Sequence, residues 1–192
     1  LHYTSFSLGQ ILVSDACQVG LLVAPDFGKW IDEREEEGWT IPWPAADGTF
    51  EEIKATNTNV TAILNTSNGQ FAALALVKGF RFKNALMEEH FNENYLESDK
   101  FPSATFKGKI REVVDLKVPG TYAVTAVGTA TIHGVTNPIE IKGNIVSKGD
   151  QVSLTCQFDI KLVDYKIDIP KIVFAKIAEV IKVKGNISYT VR

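Results

Sequence analysis

The chain has 192 residues, of which 45% are hydrophobic, and a formal net charge of -3 from 20 basic and 23 acidic residues. This length and apolar content suit one domain with a substantial core. The slight acidic excess gives no electrostatic case for nucleic-acid binding, which needs a basic face to neutralise phosphates. No apolar run approaches the roughly 20 residues that span a bilayer. We therefore expect one domain over residues 1–192, with no nucleic-acid partner and no transmembrane segment.

The first part of the chain combines one cysteine with all the tryptophans. Residues 17–49 contain Trp30, Trp39 and Trp43. Asp26–Glu37 is typical of a helix that begins after a capping aspartate, whereas Thr40–Pro44 must be extended because a residue before proline avoids the helical region. The segment is interpreted as a surface addition that packs on the outside of the domain. The alternatives are a lid or partner-binding surface, and disorder.

Strand patterns begin at Val60. Val60–Leu64 is a β-rich run, and Asn65–Gly69 is a turn whose Asn68-Gly69 pair is a strong hairpin signal. Gln70–Phe82 is the returning strand, with apolar residues on both parities, so we expect it to be covered on both faces. Asn84–Leu96 has apolar residues at helical spacing and is predicted to be a short amphipathic helix capped by Asn84.

Five more strands follow, and a short helix is predicted over Pro170–Ala178. The clearest strand alternates apolar residues with threonines from Thr121 to His133, which indicates one buried face. Glycine and alanine on that face leave space that favours a closed barrel over a packed sandwich. The predicted strands are Thr105–Val114, Thr121–His133, Asn137–Ser147, Gln151–Leu162 and Glu179–Val191.

No arrangement of residues predicts catalysis, a metal or a cofactor. His2, His90 and His133 lack HxH or HxxxH spacing, and a metal site needs three or four convergent ligands. His133 is expected to be structural, bonding the backbone of the turn Gly134–Thr136. Ser103 and Cys156 have no context for a nucleophile, so we assign no catalytic residue. The spacing of Cys17 and Cys156 favours free thiols and leaves a disulfide open.

A barrel of about eight strands can hold one narrow ligand in its interior. The residues predicted to line that interior are Phe71, Leu74, Phe80, Phe82, Phe106, Tyr122, Val124, Ile132, Ile141, Phe158, Ile160, Tyr165 and Ile167, with Leu86, Met87 and Phe91 of the helix closing one end. A polar headgroup needs a few donors near the mouth. The donors predicted for it are Arg81, Lys83, His133, Thr136 and Asn137.

Several passages, in the same order along the chain, resemble the YceI-like family in the version common in Bacteroidetes-type bacteria. The passages are Gly9–Ala16, Glu51–Asn57, Asn92–Lys109, Gly128–Thr136 and Leu162–Pro170 followed by Lys176–Ile181. The resemblance implies a mainly all-β fold: an eight-stranded antiparallel lipocalin-like barrel with one or two short helices. It also implies an elongated pocket for a polyisoprenoid or similar lipid, a periplasmic or secreted location, and dimers in many members. The chain begins at Leu1 without a signal peptide, as expected of either a processed secreted protein or a trimmed cytosolic one.

The chain departs from the family pattern in two places. Cys17–Thr49 is predicted to be an insertion after the first strand. Val163 and Lys166 stand where many relatives have an arginine and a glycine, so a headgroup role for that loop is not carried over. The resulting hypothesis is a non-catalytic carrier of a long apolar lipid. The alternatives are an interaction module that grips a protein or glycan through residues 17–49, and an enzyme that uses the pocket.

Overall fold

A computed structural model describes residues 11–13, 16–23, 53–149, 151–168 and 179–190. Within these residues one antiparallel sheet contains β1 (Ile11–Val13), β2 (Ala16–Val23), β3 (Ile53–Asn57), β4 (Val60–Asn65), β5 (Gln70–Leu76), β6 (Phe80–Phe82), β7 (Ser103–Ile110), β8 (Gly120–Ile132), β9 (Val135–Ser147), β10 (Gln151–Lys161) and β11 (Val180–Thr190). The helix α1 (Ala85–His90) continues as a π-helical turn over Phe91–Tyr95. Short 3-10 turns cover Val77–Gly79 and Leu162–Tyr165.

The eleven segments make eight strands, because β1 with β2, β3 with β4, and β5 with β6 each continue one strand across a short break. The first two strands share one register: Ile11 opposes Asn65, and Val23 opposes Ile53. Every strand pairs with its neighbours in sequence, and β2 also pairs with β11. The sheet therefore closes into an eight-stranded up-and-down antiparallel barrel, which confirms the predicted fold class.

Asn57 stabilises two of these breaks at once. Its buried amide donates a hydrogen bond to the Leu76 carbonyl at 2.7 Å, and its Oδ1 accepts one from the Asn59 backbone N–H at 2.7 Å. The turn after β5 also explains the mixed parity of the predicted strand Gln70–Phe82. Phe71 is buried in β5, but after the turn the buried residue of β6 is Phe80. The inward-facing residues therefore change from odd-numbered to even-numbered positions.

The barrel has two distinct ends. The loop end carries the connections after β4, β7 and β9. The helix end carries α1, the 3-10 turn Leu162–Tyr165 and the two-residue hairpin turn His133-Gly134. Both residues of that turn have positive φ, 51° and 72°, as the twist of a tight β-hairpin requires.

The buried side chains form two clusters, one toward each end. The loop-end cluster includes Phe71, Phe106, Ile145 and Tyr189. The helix-end cluster is a separate group; its fully buried members are Val77, Leu96, Ala130, Ile160, Leu162, Tyr165, Ile167 and Val183. Ile139 and Phe158 pack against both clusters. The apolar interior is therefore continuous along the barrel.

The structure tests some of the remaining sequence predictions and leaves others untested. The predicted insertion begins too early, because Cys17–Val23 belongs to β2 and pairs with β11 and β3. Residues 24–49, with the predicted helix Asp26–Glu37 and the three tryptophans, lie outside the described residues, as does the whole predicted helix Pro170–Ala178. The helix predicted after Asn84 is confirmed: its side chain caps α1 by accepting a hydrogen bond from the Leu86 backbone N–H at 2.9 Å.

Candidate ligand-binding interior

The interior of the barrel is lined by one parity of each strand. Phe71, Phe106, Val124 and Ile141 are buried in the loop-end cluster, against which Tyr122 and Phe158 pack. Ile160, Tyr165 and Ile167 are buried in the helix-end cluster, against which Ile132 and Phe91 pack. These predicted lining residues therefore do come together inside one barrel. Alternation along the strands places the strand residues there, whereas Tyr165, Ile167 and Phe91 lie outside the strands.

Leu74 was predicted to line the interior, and the structure contradicts this. It is 40% exposed on the outer face, because in β5 the inward positions are Phe71, Ala73 and Ala75. Two helix residues predicted to close one end, Leu86 and Met87, are also exposed. The short helix turns that part of its apolar face away from the core.

Phe91 is the helix residue that does pack inward. Its ring lies 5.4 Å from the Phe80 ring and 5.0 Å from the Phe82 ring, measured between centroids. Phe80 and Phe82 were both predicted to line the interior. Their place is beside the helix at one end of the barrel. Sequence spacing alone could not distinguish this position from the middle of the barrel.

The middle of the barrel is lined by small residues. Gly108 opposes Gly128, and Cys156 lies between Gly143 and Gly185 on neighbouring strands. The sequence suggested that glycine in β8 leaves room for a ligand. Instead, a Cβ on Gly128 would lie 2.5 Å from the Cα of Gly108 and closer still to the Lys107 carbonyl oxygen. Gly128 therefore permits close approach of β7 and β8.

Packing is looser in the middle than at the loop-end core. Phe158, Ile139 and Cys156 face inward yet are only half-buried, whereas Ile145 and Val152 in the loop-end cluster are almost completely buried. Because these inward-facing side chains keep accessible surface, they are not tightly packed against one another. Cys156 carries a free thiol, so it does not pair with Cys17, and burial raises the pKa of this thiol.

Most of the predicted headgroup donors bond to other protein groups at the helix end. Arg81 forms an ion pair with Glu88 at 2.7 Å, and the Asn137 amide donates to the Asp164 carbonyl at 2.6 Å. Thr136 shares a hydrogen bond of 2.8 Å with Thr131. Lys83 is exposed. A headgroup role for these side chains stays a prediction.

His133 is held by two acceptors that sequence reasoning did not identify. Its Nδ1 lies 3.2 Å from the Tyr165 carbonyl oxygen, and its Nε2 lies 2.8 Å from Oε2 of Glu97. The ring also packs edge-on against Phe101, with centroids 4.7 Å apart. The histidine is therefore structural, as predicted, but it bonds Glu97 and Tyr165 rather than the turn that follows it.

The loop end is covered by residues 111–119. The strand predicted as Thr105–Val114 ends at Ile110, so its last four residues belong to this cover. Val114 and Leu116 are partly buried and pack against the loop-end cluster. A pocket of about 180 Å³, partly open to solvent, lies between them and the turn at residues 65–69, with Leu64, Ile110 and Ile145 in its lining. The backbone N–H of Thr125 donates to Glu112 at 2.6 Å, and this bond lowers the pKa of the Glu112 carboxyl group.

Two further observations bear on the class of site. Within the described part of the chain, no group of three or more His, Cys, Asp or Glu side chains could hold a metal ion. Over the same residues, no helix is long and apolar enough to cross a membrane.

Comparison with known proteins agrees with this architecture. The sequence profile of the YceI-like domain matches residues 38–189. No curated protein matches the chain significantly.

Among solved structures, a polyisoprenoid binding domain from Saccharophagus degradans implicated in plant cell wall breakdown superposes with a TM-score of 0.70 at 13% identity, over 95% of this chain and 98% of that one. BcnA of Burkholderia cenocepacia gives 0.65 at 12% identity, over 91% and 96%. A YceI protein from Campylobacter jejuni gives 0.61 at 15% identity, over 82% and 96%. At these identities the likeness concerns the fold.

Proposed function

Since the chain belongs to the YceI-like family, we propose that it binds one long isoprenoid chain in the barrel interior and releases it chemically unchanged. The observation that supports this most directly is the continuous apolar lining, which Ile139 and Phe158 join across the middle of the barrel. Transfer of apolar surface from water into such a lining is favourable by about 25 cal/mol per Å². The polyisoprenoid-binding domain of similar fold from Saccharophagus degradans supports the choice of ligand.

The first test is to purify the protein from host cells and record its native mass spectrum. We expect a mass increment that corresponds to a co-purified isoprenoid or related lipid. Incubation of delipidated protein with a dansyl-labelled isoprenoid alcohol should then give saturable binding at one site. Absence of both signals would contradict the proposal.

A pair of variants on β8 tests where the ligand lies. Ala130 is buried and faces inward, whereas Thr129, next to it, faces outward. We expect Ala130→Phe to weaken binding of the dansyl probe about tenfold or more, because a phenyl ring fills space in an interior that cannot expand freely. Thr129→Phe is the matched control and should bind as the wild type does. Circular dichroism and thermal melts establish that both variants are folded.

Cys156 gives a second measurement that needs no change in the lining. Its thiol faces the interior and is half-buried. In a Cys17→Ser background, alkylation by N-ethylmaleimide therefore reports access to the middle of the barrel. We expect the isoprenoid probe to slow this alkylation. Equal rates with and without bound probe would place the ligand elsewhere.

The finer parts of the hypothesis remain predictions. These are the periplasmic or secreted location, the homodimer, and the alternative of an interaction module that uses the tryptophan-bearing residues 24–49. Deletion of those residues separates the carrier from the module. A carrier keeps its lipid after the deletion, whereas a module loses its partner.

A further inference from the structure

The two ends of the barrel are closed to different degrees. At the helix end Val77, Leu162 and Tyr165 are buried, and the Tyr165 carbonyl is bonded to His133. At the loop end the covering side chains Val114 and Leu116 are only partly buried. A pocket of about 180 Å³, partly open to solvent, lies between this segment and the turn at residues 65–69. The loop end thus has an opening beside the segment that covers it.

The covering segment 111–119 is fastened mainly by hydrogen bonds at its margins. Ser147 Oγ donates to the Leu116 carbonyl at 2.5 Å, and the Tyr122 hydroxyl donates to the Val118 carbonyl at 2.8 Å. A segment held by a few such bonds opens at lower free energy than a strand held on both sides, since each contributes about 0.5–1.5 kcal/mol. Displacing Leu116 would widen this pocket.

The outer side of the same segment exposes apolar side chains. Val113 is fully exposed, and Val118 is 53% exposed. Isolated exposed apolar residues are common on protein surfaces, but these two lie on the segment beside the open pocket. Lys109, Lys117 and Lys148 are exposed at the same end and outnumber Asp115, the exposed acidic residue of the segment. Cationic side chains beside exposed apolar ones match the interface of a bilayer that carries anionic headgroups.

We propose that the loop end is the entrance of the barrel and that segment 111–119 docks there on an anionic lipid surface through Val113 and Val118. This inference rests on the proposed function, because an entrance requires a ligand. Docking would place the covering Val114 and Leu116 next to the acyl region. The ligand would then pass between bilayer and barrel without exposing its chain to water.

The test measures the rate at which the dansyl-labelled isoprenoid alcohol moves from vesicles of phosphatidylcholine and phosphatidylglycerol into the protein. We expect V113S/V118S to slow transfer about tenfold, because two apolar side chains no longer enter the interface. Its equilibrium affinity for the probe in solution should stay unchanged. The matched control is Val163→Ser, since Val163 is 76% exposed at the helix end. This control should transfer at the wild-type rate.

Each outcome decides a different claim. If wild-type protein fails to bind the probe in solution, both the proposed function and the entrance are wrong. If it binds, and V113S/V118S transfers as fast as the wild type, only the entrance is wrong. Slow transfer by V163S alone would place the entrance at the helix end. Co-sedimentation of ligand-free protein with the same vesicles is an independent readout, which V113S/V118S should reduce and V163S should not.

Discussion

His133 Nε2 and Glu97 Oε2 lie 2.8 Å apart, and both residues have positive φ values, 51° and 43°. A positive φ is uncommon in residues other than glycine. The Nδ1 of His133 also lies 3.2 Å from an acceptor, the Tyr165 carbonyl oxygen. The contact therefore joins the turn before β9, the segment after α1 and the 3-10 turn after β10 at the helix end.

This contact predicts an acid-dependent loss of stability. The hydrogen bond from His133 lowers the pKa of the Glu97 carboxyl group below its usual value. A carboxylate whose pKa is depressed in the folded state stabilises the fold above its unfolded pKa, and that contribution disappears as the pH falls through the folded pKa. We expect Glu97→Gln to destabilise the protein at neutral pH and the difference from wild type to shrink in acid. Urea unfolding of Glu97→Gln and of the wild type, at neutral pH and at acid pH, measures this difference in stability.

Glu89→Gln on the exposed side of α1 is the control for that experiment. It should leave the pH dependence of unfolding close to that of the wild type. A Glu97→Gln variant with the same stability deficit at neutral and acid pH would contradict the assigned cause.

The backbone at His133 gives a second prediction. Both His133→Ala and His133→Gly remove the two ring hydrogen bonds, but only glycine adopts a φ of 51° at little cost. We expect the alanine variant to be less stable than the glycine variant by about 1 kcal/mol. Chemical denaturation measures the difference. Equal stability of the two variants would show that the turn relaxes without strain.

The glycines in the middle of the barrel give a third prediction. A Cβ on Gly185 would lie 2.7 Å from the sulfur of Cys156, a side-chain contact, whereas a Cβ on Gly128 would meet the backbone of Gly108. We expect Gly185→Ala to cost about 1–3 kcal/mol and to be partly rescued by Cys156→Ala, because overpacking is relieved by removing the sulfur. Gly128→Ala should not be rescued by Cys156→Ala, because its clash is with backbone atoms.

A double-mutant cycle on thermal or urea unfolding tests this prediction. A coupling of zero between Gly185→Ala and Cys156→Ala would show that the clash is relieved by backbone movement instead. Gly149→Ala is a useful comparison, since a Cβ there meets no atom within 4 Å and the strain comes from its φ of 74° alone.

Most of the barrel could be predicted from the sequence because period-two alternation is local information. In β8 the buried Val124, Ala126 and Ala130 share one parity, and the hairpin at Asn68-Gly69 follows from glycine at positive φ. On β5, in contrast, the prediction placed Leu74 on the wrong face of the strand. On β5 the inward residues include alanines and an outward residue is leucine, so residue size gives the wrong face.

The contacts at the two ends could not be predicted because they join distant parts of the chain. Glu97 and His133 are 36 residues apart, and Ser147 and the Leu116 carbonyl are 31 apart. Neither pair leaves a local pattern. The break in the predicted strand Gln70–Phe82, at the 3-10 turn Val77–Gly79, was also missed.

The Ser147 contact supplies the last prediction. Its hydroxyl is buried and donates to the Leu116 carbonyl in the segment that covers the loop end. We expect Ser147→Ala to lower the free energy of unfolding by about 1 kcal/mol, the usual contribution of one hydrogen bond. The larger local effect should be faster amide hydrogen exchange in residues 111–119. Ser188→Ala, on the exposed face of β11, is the control.

If the loop end is the entrance, this variant should also release the dansyl-labelled isoprenoid alcohol faster while its equilibrium stability falls only slightly. The reason is that opening requires the Leu116 carbonyl to leave its donor, and in S147A that donor is already absent. Faster hydrogen exchange in the segment with an unchanged release rate would separate the two effects. It would mean that the segment moves independently of ligand passage.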